Sequence, residues 1–195
     1  MAGRASYLNE ATCAHQKFLF LDLDETLIKA TRQDDAKNSR QGYSVAFRPH
    51  IMEFLHIMSQ LYEIYVFTTA SESFAHGVID KLNRNHPYIK DCLSRNHCFT
   101  TKRGYFLKDL RMVKNRGLED IVLVDNCVHA FGLQLSNGIP IPEFNGEKDD
   151  NHLLRLVPVL ETISQADDVR EEIKKHVDLE QLGHIDPEDF IECLQ

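Results

Sequence analysis

Asp22 and Asp24 stand one residue apart where an apolar run, Lys17 to Leu23, meets a polar turn. In an extended chain, side chains two apart point the same way, so the two carboxylates face one place. Close carboxylates repel unless a proton or a cation lies near them. A hard divalent ion such as magnesium accepts carboxylate, carbonyl and water oxygens. The pair therefore suits a metal site. It also suits a division of labour, one carboxylate attacking and the other moving protons. The plainer reading is that the acids of Asp22-Leu23-Asp24-Glu25-Thr26 merely cap the turn, and the pentapeptide alone does not decide between the two.

The elements that must position these residues read as strands alternating with helices. The run 17–23 is short and continuously apolar, as expected of a strand buried on both faces. The polar stretch 30–44 reads as a loop or hairpin beside it. Arg48-Pro49 opens a helix at 50–60, with Ile51, Phe54, Leu55 and Met58 at helical spacing. A second strand follows at 61–67 and a second helix at 72–84. Residues 97–107 predict a hairpin that turns at Lys102-Arg103-Gly104, with a short helix near Lys108. A third strand, 121–124, ends at Asp125, and 139–141 reads as a fourth. Helices are expected at 151–164, 167–177 and 187–193, with an irregular lead-in over 1–16. Such alternation implies a mainly parallel sheet, which binds ligands at the carboxyl ends of its strands. Asp22, Thr68 and Asp125 all fall at such ends.

The 195 residues suit one domain, with 43% hydrophobic and 27% charged residues. A net charge of −8 argues against nucleic-acid binding. Five irregularly spaced cysteines argue against a disulfide framework and for a reducing compartment, nuclear or cytoplasmic. No apolar run is long enough to span a bilayer, and the N-terminus does not read as a secretory signal.

Taken in order, Asp22 to Leu27 (DLDETL), 48–55 (RPHIMEFL), 66–71 (VFTTAS), 104–110 (GYFLKDL) and 122–131 (VLVDNCVHAF) resemble the haloacid dehalogenase superfamily. More narrowly, they resemble the small phosphatases of the RNA polymerase II C-terminal domain, also called NLI-interacting-factor-like phosphatases. The resemblance spans about 17–165 and implies a magnesium-dependent phosphoserine/phosphothreonine phosphatase acting through an aspartyl-phosphate. It implies Asp22 as nucleophile and Asp24 as general acid/base, whose carbonyl also binds the metal. Thr26 would orient Asp24. Thr68 would bind phosphate, with Thr69 as runner-up because it gives the closer Thr-Ala-Ser match. Lys108 would neutralise nucleophile and phosphate, Asn126 would ligate magnesium, and Asp125 would stand behind the ion. The fold expected is α/β, a Rossmann-like three-layer sandwich with a mainly parallel central sheet, short hairpin insertions and no large cap domain. The phosphatase domain would cover 17–165, with a helical extension at 166–195.

The stretch between Ile28 and Arg48 is shorter and more polar than in the polymerase-tail phosphatases, where it carries apolar residues that help select the peptide. The chemistry stands, while tail specificity does not follow; the expected partner is a phosphorylated protein or peptide, and the chain is expected to be a monomer. Arg48 fits a structural role. Cys92, His97 and Cys98 are poorly spaced for zinc, and 178–189 departs from a calcium loop at two places. The competing reading is a non-catalytic phosphopeptide- or protein-binding module of the same fold. A metabolite phosphatase would want a cap domain for which the chain has little room.

Overall fold

The computed structural model describes residues 17–35, 40–114 and 116–177. The expected lead-in and the helix at 187–193 lie outside the described residues. Five strands form one parallel sheet, in the order Ile89–Leu93, Tyr62–Phe67, Lys17–Leu21, Ile121–Asp125 and Gly138–Pro140. The central strand is β1 (Lys17–Leu21), whose Phe18, Leu19, Phe20 and Leu21 are fully buried. Its neighbours are β4 (Tyr62–Phe67) and β8 (Ile121–Asp125), and Leu21 is paired to Val66 on one side and Val124 on the other. The outer strands are β5 (Ile89–Leu93) and β9 (Gly138–Pro140).

Alternation along the strands sorts the core into two halves. Leu19, Leu21, Ile64, Val66, Val122 and Val124 face α1 (Ile51–Met58), α2 (Glu72–Leu82), α3 (His152–Ser164) and α4 (Val169–His176). Phe18, Phe20, Tyr65, Phe67, Ile121 and Leu123 face the other way. That second face is covered by 3-10 segments around Leu110–Met112 and Val128–Asn137, so the layer opposite the α-helices is built of tight turns. The expected extension helix, 167–177, is α4. It buries Val169 and Ile173 in the main core, so this part of the chain is packed into the domain's apolar interior.

Two hairpins stand apart from the sheet. The stretch read as a loop or hairpin pairs with itself over eight residues a side, β2 (Ile28–Asp35) against β3 (Arg40–Phe47). The second, β6 (Phe99–Thr100) with β7 (Phe106–Leu107), turns at Gly104, where φ is 87° and a side chain would be strained. Both adjoin the carboxyl ends of the sheet strands.

Candidate active site

The chain runs from β1 into a tight turn. The Asp22 N–H still donates to the Val124 carbonyl (2.9 Å), continuing the sheet ladder by one residue. Leu27 and Ile28 N–H both donate to the Leu23 carbonyl at 3.0 Å, and Glu25 adopts the left-handed conformation with φ 63°. A non-glycine residue in that region carries strain that the surrounding structure must hold, and here it lies between the acids and the first hairpin. The turn sets Asp22 on the floor of the cleft and Asp24, half-buried, on its wall.

Lys108 joins the strand ends. Its ammonium donates to Asp22 Oδ1 and to Asp125 Oδ2, both at 2.6 Å. All three side chains are buried: Lys108 is 1%, Asp125 2% and Asp22 5% exposed. A buried cation is tolerated only when paired and hydrogen-bonded, and two carboxylates provide that. Burial opposes the charge on Lys108, but Asp22 and Asp125 outweigh it and keep the ammonium protonated. Burial pushes the Asp22 carboxyl up to about 7; Lys108 pulls it down, and Asp125 pushes it further up. With both carboxyls ionised the trio would carry one excess negative charge out of water, a position that favours a bound cation. Asp24 is also raised, first by burial and then by the neighbouring Glu25. A carboxyl raised in this way holds its proton more readily than a free one, as a proton donor in a cleft must.

Asp125 spends its second oxygen on the Cys127 N–H (2.8 Å), so both of its oxygens are engaged in holding neighbours. Thr26 behaves differently from expectation. Its fully buried hydroxyl donates to Asn126 Oδ1 (3.1 Å) and accepts from the Asn126 N–H (3.2 Å). It thereby orients the amide after β8, where the sequence reading had it orient Asp24. The physical reason is the close pairing of β1 with β8, which brings the two turns against each other.

The cleft above these groups has a volume of about 280 Å³. Thr69 lines it, whereas Thr68 is fully buried and its hydroxyl accepts from the Ala70 N–H at 3.1 Å. Of the two threonines considered, Thr69, the runner-up, is the one that lines the cleft. Arg95 donates to the Thr69 carbonyl (2.6 Å), and its guanidinium lies over the Phe106 ring. Tyr105 and His129 complete the wall. Arg95, Tyr105 and His129 were not singled out in the sequence: Tyr105 and His129 fall within the stretches 104–110 and 122–131, but nothing local marks them as cleft residues. A second, smaller cleft of about 150 Å³ shares Asp24 and is bounded by Tyr43, Phe74 and Arg95.

Arg48 lies outside the cleft and supports it. It is 1% exposed and donates to Asp150 at 2.9 and 2.8 Å, to the Thr26 carbonyl at 3.0 Å and to the Pro142 carbonyl at 2.8 Å. This bears out the structural role expected of it and ties the turn carrying Asp24 to the 142–150 segment.

The residues fit magnesium. Among the described residues no three His, Cys, Asp or Glu side chains cluster as a metal cage. Asp22, Asp24 and Asn126 nonetheless offer hard oxygens around one cleft. Magnesium keeps several waters and needs only a few protein oxygens, whereas structural zinc would want four nitrogen or sulfur ligands.

A family model described as NLI interacting factor-like phosphatase matches residues 17–170. The chain is 32% identical over 187 residues to the CTD nuclear envelope phosphatase 1 of Xenopus tropicalis, covering 87% of this chain and 76% of that protein. It is 34% identical over 174 residues to the CTD small phosphatase-like protein 2 of Dictyostelium discoideum, covering 84% of this chain but only 30% of that longer protein. Among solved structures, that of Fcp1, an essential RNA polymerase II CTD phosphatase, superposes with a TM-score of 0.62 at 17% identity, over 77% of this chain and 62% of the other. At that identity the superposition speaks for the α/β fold alone. Among the described residues no helix is long and apolar enough to cross a membrane. With the family model covering most of the domain and the acids, lysine and asparagine gathered in one cleft, the chain belongs to the NLI interacting factor-like phosphatases.

Proposed function

We propose that the chain hydrolyses phosphoserine or phosphothreonine in proteins through a phosphorylated Asp22, with magnesium as cofactor. The observation that carries this is Lys108, held at 2.6 Å from both Asp22 and Asp125 beneath a cleft that Asp24 and Thr69 line.

An Asp22 carboxylate oxygen forms a bond to phosphorus as the bond from phosphorus to the serine or threonine oxygen breaks. Asp24 in its acid form gives its proton to that leaving oxygen; burial, which raises its pKa, favours this form. Asp24, now a carboxylate, takes a proton from a water molecule. The water oxygen bonds to phosphorus, phosphate leaves, and Asp22 is restored. Lys108 and the Thr69 hydroxyl offset the charge that gathers on the equatorial oxygens. Asp22, the Asp24 carbonyl and Asn126 would hold magnesium, which when bound would supply further positive charge against the incoming dianion. Asp125 keeps Lys108 in place, and Thr26 keeps Asn126 in place.

A protein substrate fits better than a metabolite. The β6–β7 hairpin borders the cleft, and the adjoining cleft at Tyr43 and Phe74, bordered by the β2–β3 hairpin, offers room for a flanking residue. The nuclear-envelope name of the Xenopus relative favours a nucleus-associated role. The test is hydrolysis of a phosphoserine peptide with magnesium, with EDTA, and by Asp22→Asn. Turnover that needs magnesium and vanishes in the variant is expected. Tight peptide binding by the folded protein without turnover would sink the enzyme reading in favour of a binding module.

A further inference from the structure

One wall of the cleft has no part in the chemistry above. Tyr105 follows the Thr101–Gly104 turn at the head of β7, and its ring lies nearly parallel to the His129 imidazole, with centres 5.6 Å apart and 9° between planes. Both line the cleft that holds Asp22, Lys108 and Asn126, yet Tyr105 is 48% exposed. Its position is fixed from two sides. The Tyr105 N–H donates to Thr101 Oγ1 (3.0 Å), its carbonyl accepts from the Thr101 N–H (2.8 Å), and Gly104 at φ 87° makes the turn. His129 comes from the segment just past Asn126, whose course is set by β8. Two elements remote in sequence thus hold one aromatic plane at the mouth of the site. Such a preordered plane binds at low entropic cost.

The sheet order separates this wall from the smaller cleft. Asp22 follows the central strand; Tyr43, Phe74 and Arg95 gather on the β4–β5 side, whereas His129 follows β8 on the other. A peptide whose phosphorylated residue reaches Asp22 passes both. We propose that Tyr105, backed by His129, is a specificity surface for a residue flanking the phosphorylated serine or threonine, and that it takes an apolar, ring-bearing side chain. The inference rests on the phosphopeptide reading above. A flat ring offers offset or edge contact to another ring. A basic side chain could also sit on a phenol face, and the Lys peptides below decide between the two.

The experiment uses phosphoserine peptides in an alanine background, with Phe or Lys placed singly at the two positions before and the two after the phosphoserine. Each is assayed with the wild type, Tyr105→Ala and Tyr105→Phe. At one position at least, Phe is expected to raise wild-type kcat/KM roughly three- to tenfold over alanine, mostly through KM, as an aromatic pair of ordinary strength does. Lys is expected not to. The Phe-to-Ala ratio falls toward one in Tyr105→Ala and survives in Tyr105→Phe, a pattern that mere loosening of the hairpin does not give. Equal wild-type rates for Phe and Ala peptides, a preference for Lys, or a Phe preference untouched by Tyr105→Ala would each overturn the inference while leaving the phosphatase reading intact. Absence of turnover of the all-alanine peptide by the folded protein would overturn both.

Discussion

Replacing Asp150 by asparagine tests the network under the catalytic turn. Arg48 and Asp150 form a buried ion pair, with side chains 0% and 4% exposed. Arg48 also donates to the Thr26 and Pro142 carbonyls and lies 5.5 Å from the Phe144 ring centre. Removing one partner of a buried pair leaves a charge without its counterpart, at a cost of about 3–5 kcal/mol. Asparagine keeps one acceptor for Arg48, so the lower end, about 3 kcal/mol, applies. For a domain of this size that corresponds to a Tm lower by about 6–12 °C. Urea unfolding at neutral pH of the wild type, Asp150→Asn, Arg48→Met and the double variant Arg48→Met/Asp150→Leu would measure it. The double variant should cost clearly less than the sum of the single effects, because neither charge is left alone. Purely additive costs, or single costs below about 1 kcal/mol, would refute the reasoning. The pH dependence gives a second check. Burial pushes Asp150 up, but hydrogen bonds from Arg48 and His152 outweigh it and hold the carboxyl well below the usual range. A lowered folded pKa contributes stability that is present above the unfolded value, about 4, and is lost as pH falls through the folded one. The gap between wild type and Asp150→Asn should therefore narrow on acidification; a gap that widens would be fatal to the argument.

Asp22 has the opposite sign. With its folded pKa raised to about 7, metal-free protein loses stability as pH rises from the unfolded value toward 7. In EDTA, Asp22→Asn should accordingly melt higher than wild type at alkaline pH and no higher at pH 4, as read by differential scanning fluorimetry. Magnesium should raise the wild-type Tm by an amount that grows with concentration, about 2.7 kcal/mol of stabilisation at a hundred times its Kd, and should do much less for Asn126→Ala. Thr69→Ala should lower kcat/KM by about tenfold or more with little change in stability, while Thr68→Val should act chiefly on unfolding, since only Thr69 lines the cleft. Gly104→Val should destabilise the β6–β7 hairpin by about 1–3 kcal/mol through backbone strain alone, because no atom lies within 4 Å of the added carbon.

The central strands were legible because their apolar runs are continuous, and the acids at their ends were legible because a carboxylate after such a run is conspicuous. Strand β5 was not. Its Ile89-Lys90-Asp91-Cys92-Leu93 alternates weakly, with Lys90 exposed and Asp91 partly so, as an edge strand covered on one side permits. The region 70–108 was consequently read as only a helix and a hairpin. Local pattern also could not choose between Thr68 and Thr69, since the answer depends on how β4 ends against β5, where the Thr68 N–H donates to the Leu93 carbonyl (2.8 Å). The bond of Thr26 to Asn126 is invisible to local pattern for a similar reason, since the two are 100 residues apart in sequence. Arg48 was read correctly in kind, but its partner Asp150 carries no local signature at all.

The place of β1 in the middle of the sheet governs when the protein can exist during its own synthesis. Its partner β4 begins at Tyr62, but β8 ends only at Asp125, and Lys108 lies 86 residues beyond Asp22. At ribosomal rates of about 5–20 residues per second, the nascent chain carries Asp22 for roughly 5–20 s before Asp125 is made. Throughout that interval the Phe-Leu-Phe-Leu stretch has one edge without a neighbour, a segment of the kind that pairs with other chains. Fragments ending before Ile121 thus lack both the lid of that edge and half of the charge that steadies Lys108, and the nascent protein depends on whatever shields β1 until β8 arrives.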